Sequence, residues 1–175
     1  MSTLIVYAST HGFTEMCAQR IARELPGPVE TFDLSTHPHP DLSRAGVILI
    51  GGSVHIGAIQ PAVGEFCERY HDRLLRHPLA LFISCMKQDE EAAEQLEAAY
   101  PLRLRAHAFA TARLGGAFYF DRMSMLQRWV VKNMAGVKKS VEDLDTAMLQ
   151  SFIATTCRQI RLYERKRQLE TSGVN

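Results

Sequence analysis

Short apolar runs alternate along this chain with stretches of helical spacing, and no other feature narrows its fold so sharply. Thr3–Ala8 is apolar and rich in β-branched residues, the pattern of a strand buried on both faces. Thr14–Leu25 follows with Met16, Cys17, Ile21, Ala22 and Leu25 at helical spacing, and Pro26-Gly27-Pro28 stops it. Val29–Leu34 reads as a second strand and Ser35–Leu42 as a loop. Val47–Ile50, bounded by Gly46 and Gly51-Gly52, reads as a third buried strand. Ala62–Leu75 predicts a helix opened by Pro61, and Leu79–Cys85 a fourth strand. Glu90–Tyr100 predicts a helix ended by Pro101, Ala106–Leu114 a fifth strand, and Leu144–Lys166 a final helix. Strands that alternate with helices are joined by crossovers, so the sheet is parallel and covered on both faces. The expected fold class is α/β, a doubly wound five-stranded parallel sheet in the order 2-1-3-4-5. A single domain over residues 1–175 is expected, with a helical insert at about 119–141.

Composition narrows the function classes. A chain of 175 residues with 46% hydrophobic content builds one core. Lys+Arg 20 against Asp+Glu 19 gives a net charge of +1, no field for DNA or RNA, so no nucleic-acid partner is expected. Cys17, Cys67, Cys85 and Cys157 form no C-x-x-C and no zinc spacing. Reduced thiols in a cytoplasmic protein are expected, with a scattered disulfide pair as the alternative. The chain opens on a strand-like run, so no signal peptide is expected. Its longest nearly uncharged apolar stretch, Ala45–Val54, falls short of the roughly 20 residues a membrane span needs.

In a doubly wound sheet, ligands sit at the carboxyl ends of the strands. The loop after the first strand reads Ser9-Thr10-His11-Gly12-Phe13-Thr14. It carries neither G-x-x-x-x-G-K-[ST] nor G-x-G-x-x-G, which excludes a P-loop and a dinucleotide fingerprint. It also lacks the acidic residues of a phospho-receiver site. Three hydroxyls and a glycine at a helix entry suit a phosphate, held by backbone N–H groups and the helix dipole without Lys or Arg. The plainer alternative is helix capping by Ser and Thr.

Tyr7–Glu15, YASTHGFTE, resembles the flavodoxin phosphate loop, with pattern S/T-x-T-G-x-T. Ser9, Thr10, Gly12 and Thr14 are read onto it, with His11 and Phe13 at variable positions. The resemblance implies bound FMN, gripped by its ribityl phosphate, and a flavodoxin-like fold over essentially the whole chain. It implies a second flavin loop at Gly51-Gly52-Ser53-Val54-His55-Ile56-Gly57 and a third at Ser84-Cys85-Met86-Lys87-Gln88. Neither of the first two loops has the Trp or Tyr that flavodoxins stack on the flavin, so His55 or Ile56 is left to pack its inner face. Gly57 is the candidate for a backbone contact near flavin N5, since glycine permits either peptide orientation.

Met123, Leu126, Val130 and Met134 recur at helical spacing beside Trp129. Between Asp121 and Ser140 five basic residues face one acid, a net of +4. A basic amphipathic helix suits a membrane surface or an apolar ligand, and an ordinary surface helix is the alternative. The placement resembles the long basic, aromatic insertion of the flavodoxin-type, menaquinone-dependent protoporphyrinogen oxidases. Gly51–Gly57 satisfies the G-x-S-x-x-x-G form of their second loop. This implies an FMN-dependent enzyme that passes electrons from a porphyrinogen to a quinone, in the cytoplasm or on the inner face of the membrane. A homo-oligomer stays open. Two alternatives remain: a flavodoxin-type electron carrier without its own substrate, and a flavin-free binding module.

No residue is assigned as catalytic acid or base. His37 and His39 lack a third ligand for a metal, and no metal is expected. Cys85 reads as a small buried filler beside the flavin, and the other three cysteines as core. Arg158–Arg167 reads as a solvated helix face.

Overall fold

The computed structural model describes residues 2–55, 57–87, 89–118 and 140–172. Five parallel strands form the centre: β1 (Ser2–Ala8), β2 (Val29–Asp33), β3 (Ala45–His55), β5 (Leu79–Ser84) and β6 (Ala110–Arg113). Their order is β2-β1-β3-β5-β6, the expected 2-1-3-4-5 counted over the parallel strands alone. The helices are α1 (Phe13–Glu24), α2 (Pro61–Arg69), α3 (His71–Leu74), α4 (Asp89–Ala99), α5 (Leu102–His107) and α6 (Thr146–Thr171).

The period of two along each central strand feeds two separate cores. On β1, Leu4, Val6 and Ala8 face one layer, while Ile5 and Tyr7 face the other. Ile48, Ile50, Leu81 and Ile83 join the first, and Val47, Leu49, Ala80 and Phe82 the second. Val63, Phe66 and Cys67 of α2, Leu74 of α3, Ala92 and Ala99 of α4 and Leu104 of α5 cover the first face. Cys17, Ala18 and Ile21 of α1 and Leu149, Phe152, Ile153 and Ile160 of α6 cover the second. The continuous apolar runs are therefore strands buried on both sides. Tyr100 pins two of them: its buried hydroxyl donates to the carbonyls of Ile50 (3.1 Å) and Phe82 (2.7 Å).

Four expectations change. β3 continues past Ile50 to His55 and turns back into β4 (Ala58–Ile59), which pairs antiparallel with it. The helix expected over Ala62–Leu75 breaks at Tyr70, which lies outside helical geometry (φ −104°, ψ 11°) between α2 and α3. The fifth strand begins at Ala110 instead of Ala106, because Leu102–His107 is helical with Leu104 buried in the core. After β6, β7 (Gly115–Phe118) pairs antiparallel with β8 (Val141–Leu144). The expected helical insert lies outside the described residues, apart from Ser140 and Val141, the second of which begins β8.

All four cysteines are free thiols; Cys17, Cys67 and Cys85 are buried and Cys157 half-buried. Burial pushes the Cys17 and Cys67 thiols up to about 12, as expected of core residues. Among the described residues no helix is long and apolar enough to cross a membrane. Most of the Arg158–Arg167 stretch is exposed.

Candidate functional site

The chain leaves the carboxyl end of β1 at Ala8 and reaches α1 within a few residues. Gly12 makes the turn in the left-handed region (φ 89°, ψ −4°), where a side chain would be strained. Its N–H donates to Ser9 Oγ at 3.0 Å, and its carbonyl accepts from Met16 N at 2.9 Å. No side chain caps α1. The N–H groups of its first turn have no partner within the helix, and they carry the positive end of its dipole.

Phe13 and Thr14 turn inward. Phe13 is 5% exposed in the core under α1. Thr14 is fully buried, and its hydroxyl sits 2.7 Å from the buried Ser84 hydroxyl at the end of β5. That bond stitches the first loop to the third. Thr10 is exposed. Counted strictly, the second hydroxyl position of S/T-x-T-G-x-T falls on His11, not Thr10. An imidazole thus stands immediately before Gly12, and Thr10 is bound elsewhere. Of the three hydroxyls read as phosphate ligands, Ser9 braces the turn, Thr14 braces the core, and Thr10 joins the second loop through Gln60.

The second loop is a hairpin. Gly51–His55 are strand, with Val54 opposite Ile59 and His55 opposite Ala58. Val54 packs against the core and Ser53 is buried. Ile56 lies outside the described residues. Gly57 turns the hairpin with φ 78°, and a Cβ built on it would meet nothing within 4 Å. It is an exposed backbone position facing open space, as a ligand contact would require. Gln60, not singled out in the sequence, donates from its amide nitrogen to Thr10 Oγ1 (2.5 Å) and Ser53 Oγ (2.6 Å). Ser53 Oγ also lies 3.1 Å from His55 Nε2. Only the polar residue before Pro61 could have hinted at this, because the partners lie 50 and 7 positions away.

His11 and His55 meet edge to face, their ring centroids 5.9 Å apart and their planes at 89°. The His55 side chain keeps an edge in solvent, yet its ring is partly desolvated against the protein. That desolvation, then the charge of His11, holds its pKa below the ordinary histidine value.

The third loop is held largely by backbone. Cys85 N donates to Gly115 O at 2.8 Å. Arg113 donates to Lys87 O at 3.2 Å and pairs with Asp145 at 3.5 Å, where Asp145 caps α6 through Met148 N. Lys87 is exposed and pairs with Glu91 at 2.6 Å. Met86 is half-buried, and Gln88 lies outside the described residues. The Cys85 thiol sits 3.7 Å from Lys87 O, and desolvation raises its pKa, which suits a filler better than a nucleophile. His37 rests against Phe32 and bonds Thr36 Oγ1, and His39 lies against Tyr70. Among the described residues no group of three His, Cys, Asp or Glu could hold a metal.

The site therefore joins bare helix-end amides, hydroxyls and two imidazoles at the carboxyl edge, with no Lys or Arg in residues 9–14 or 51–57. This donor set fits an anionic phosphate monoester beside a flat ring.

The family model of a flavodoxin domain matches residues 4–145. Among solved structures, the chain superposes on a WrbA-like flavodoxin from Agrobacterium tumefaciens with a TM-score of 0.58 at 11% identity, covering 94% of this chain and 98% of that one. A flavodoxin from the domain Archaea gives 0.54 at 15% identity, covering 94% and 99%. The two-electron-reduced flavodoxin of Megasphaera elsdenii gives 0.51 at 21%, covering 65% and 85%. At these identities the likeness is one of fold. No curated protein sequence matches the chain. Matched from Leu4 to Asp145, the chain belongs to the flavodoxin family, whose cofactor FMN the loops at its carboxyl edge fit.

Proposed function

We propose that this chain is an FMN-dependent oxidoreductase that takes electrons from a flat, apolar donor, with a porphyrinogen as substrate and a quinone as acceptor. The observation that carries the flavin reading is the convergence of three loops from three strands. Thr14 meets Ser84, Thr10 and Ser53 meet at Gln60, and His11 meets His55.

FMN, when bound, supplies one- and two-electron chemistry that no side chain offers. The chain supplies binding and orientation. The Gly12 turn and the first turn of α1 bind phosphate through N–H groups and the helix dipole. Thr14–Ser84 fixes the spacing of the first and third loops. The exposed Gly57 peptide offers a backbone group to the ring edge. Desolvation disfavours the charged form of His55, whose Nε2 lies beside Ser53 Oγ.

The choice of porphyrinogen and quinone is supported by sequence. Residues 51–57 fit G-x-S-x-x-x-G, and residues 121–140 are basic, with Trp129 and a Met/Leu/Val stripe. Arg and Lys there would pair with porphyrin propionates and with a membrane surface that holds the quinone. On this reading the protein works in the cytoplasm, against the inner face of the membrane.

The test is anaerobic mixing of FMN-loaded protein with protoporphyrinogen and a water-soluble quinone. Porphyrin fluorescence should rise only when protein, FMN and quinone are all present. A protein that takes up FMN and reduces a partner protein, but never oxidises porphyrinogen, is an electron carrier and ends the porphyrinogen reading.

A further inference from the structure

Gln60 stands between the first loop and the β3–β4 hairpin. Its backbone is held on both sides: its N–H donates to Ser53 O at 3.2 Å, and its carbonyl accepts from Val63 N at 3.0 Å. Its side chain is therefore presented from a fixed point. The amide nitrogen reaches Thr10 Oγ1 at 2.5 Å and Ser53 Oγ at 2.6 Å.

The polarity of these bonds has a chemical consequence. A carboxamide nitrogen carries two hydrogens and accepts nothing. Both hydroxyl oxygens are therefore acceptors toward Gln60, and each keeps its own hydrogen to give elsewhere. Ser53 has His55 Nε2 at 3.1 Å. Thr10 is exposed, in the loop that precedes the amino end of α1. Residues 9–14 and 51–57 include no Lys or Arg, so donated hydrogens must serve in their place toward an anion.

We propose that Gln60 is a positioning residue that holds Thr10 as a hydrogen-bond donor in the loop before α1, so that the site selects a phosphate-bearing flavin over the same flavin without its phosphate. The inference rests on the FMN reading above and deepens it, because it names the group on the ligand that is recognised.

Two substitutions separate this role from simple bracing. Gln60→Ala removes the clamp. Gln60→Glu keeps the size and shape, but its carboxylate only accepts. Thr10 and Ser53 would then turn their hydrogens toward the introduced carboxylate, and a negative charge would stand at the phosphate loop.

Flavin-free wild type and both variants are titrated with FMN and with riboflavin by fluorescence quenching, with thermal unfolding as the check that each is folded. FMN affinity should fall about tenfold in Gln60→Ala and further in Gln60→Glu, while riboflavin affinity stays within about twofold. Added salt should recover part of the Gln60→Glu loss. In a Thr10→Val background, Gln60→Ala should change FMN affinity much less. Equal losses for both flavins, or a Gln60→Glu protein that binds FMN as tightly as wild type, would overturn the assignment while leaving the FMN reading in place. A wild type that takes up neither flavin overturns both.

Discussion

Phe82 and Ser84 lie two residues apart on one strand, yet they belong to regions held by different forces. Phe82 is fully buried, edge to face with Phe152 of α6, at 5.8 Å between ring centroids. Ser84 is also buried, but its hydroxyl is committed to Thr14 at 2.7 Å. The strand interior is fixed by apolar burial, which is non-directional and large. The carboxyl edge is fixed by a few directional bonds, each small. Changes in the first region should therefore cost stability and spare the specificity of binding. Changes in the second should cost binding and little stability.

Phe82→Ala tests the first half with the largest effect. Loss of its ring from between the sheet and α6 should cost about 3–5 kcal/mol in urea unfolding. Flavin affinity of the protein that remains folded should stay close to wild type. A loss under about 1 kcal/mol would mean that this face of the sheet does not carry the fold.

Tyr100→Phe comes next. It strips the shared donor from the Ile50 and Phe82 carbonyls and should cost about 1–3 kcal/mol. Its hydroxyl pKa, raised well above 10.0 by desolvation, means the group donates at every physiological pH. Unfolding at pH 7 and pH 9 should therefore show the same loss, and a loss confined to one pH would contradict that role.

Ser84→Ala sits on the boundary. It leaves the buried Thr14 hydroxyl without its partner at a cost of about 1 kcal/mol, and adding Thr14→Val should return part of that stability. Strict additivity of the two changes would show that the hydroxyls do not interact.

The smallest effect is one of pH. Desolvation lowers the folded-state pKa of both His55 and His77 from the ordinary 6.5. The unfolded chain therefore takes up protons first as pH falls. Their contribution to stability is complete above about 6.5 and is lost as pH drops through the lowered folded values. His55→Gln should flatten this acid-side decline slightly. A variant that declines just as steeply would place the linkage at His77 or elsewhere.

The two regions also differed in how far the sequence revealed them. Apolar runs such as Leu4–Ala8 and Leu79–Ile83 declare buried strands because every residue is buried, and strand order follows from alternation with helices. Gly51-Gly52 hid the extension of β3. Two glycines read as a loop, but in the fold Phe82 packs over Gly51 and Ile59 over Gly52, so a missing side chain is what the strand needs there. Ala106 and His107 lead straight into the apolar run that follows and read as part of its strand, but in the fold they close the short helix Leu102–His107. The β7–β8 pairing joins segments more than twenty positions apart, and no local signal announces it.

At the site, the first loop was legible because hydroxyls and glycine crowd into six residues. Its division of labour was not. Thr14 and Phe13 face inward because they open α1 on its core side, and that depends on the register of the helix against the sheet. Gln60 was invisible because its role exists only once the hairpin brings it to Thr10.

FMN uptake at the carboxyl edge can be measured by calorimetric titration of FMN into purified, flavin-free protein. Saturable uptake of one FMN per chain is expected, weakened when Gly12→Ala strains the left-handed turn. Folded wild-type protein that shows no heat and no flavin quenching at any FMN concentration would contradict it.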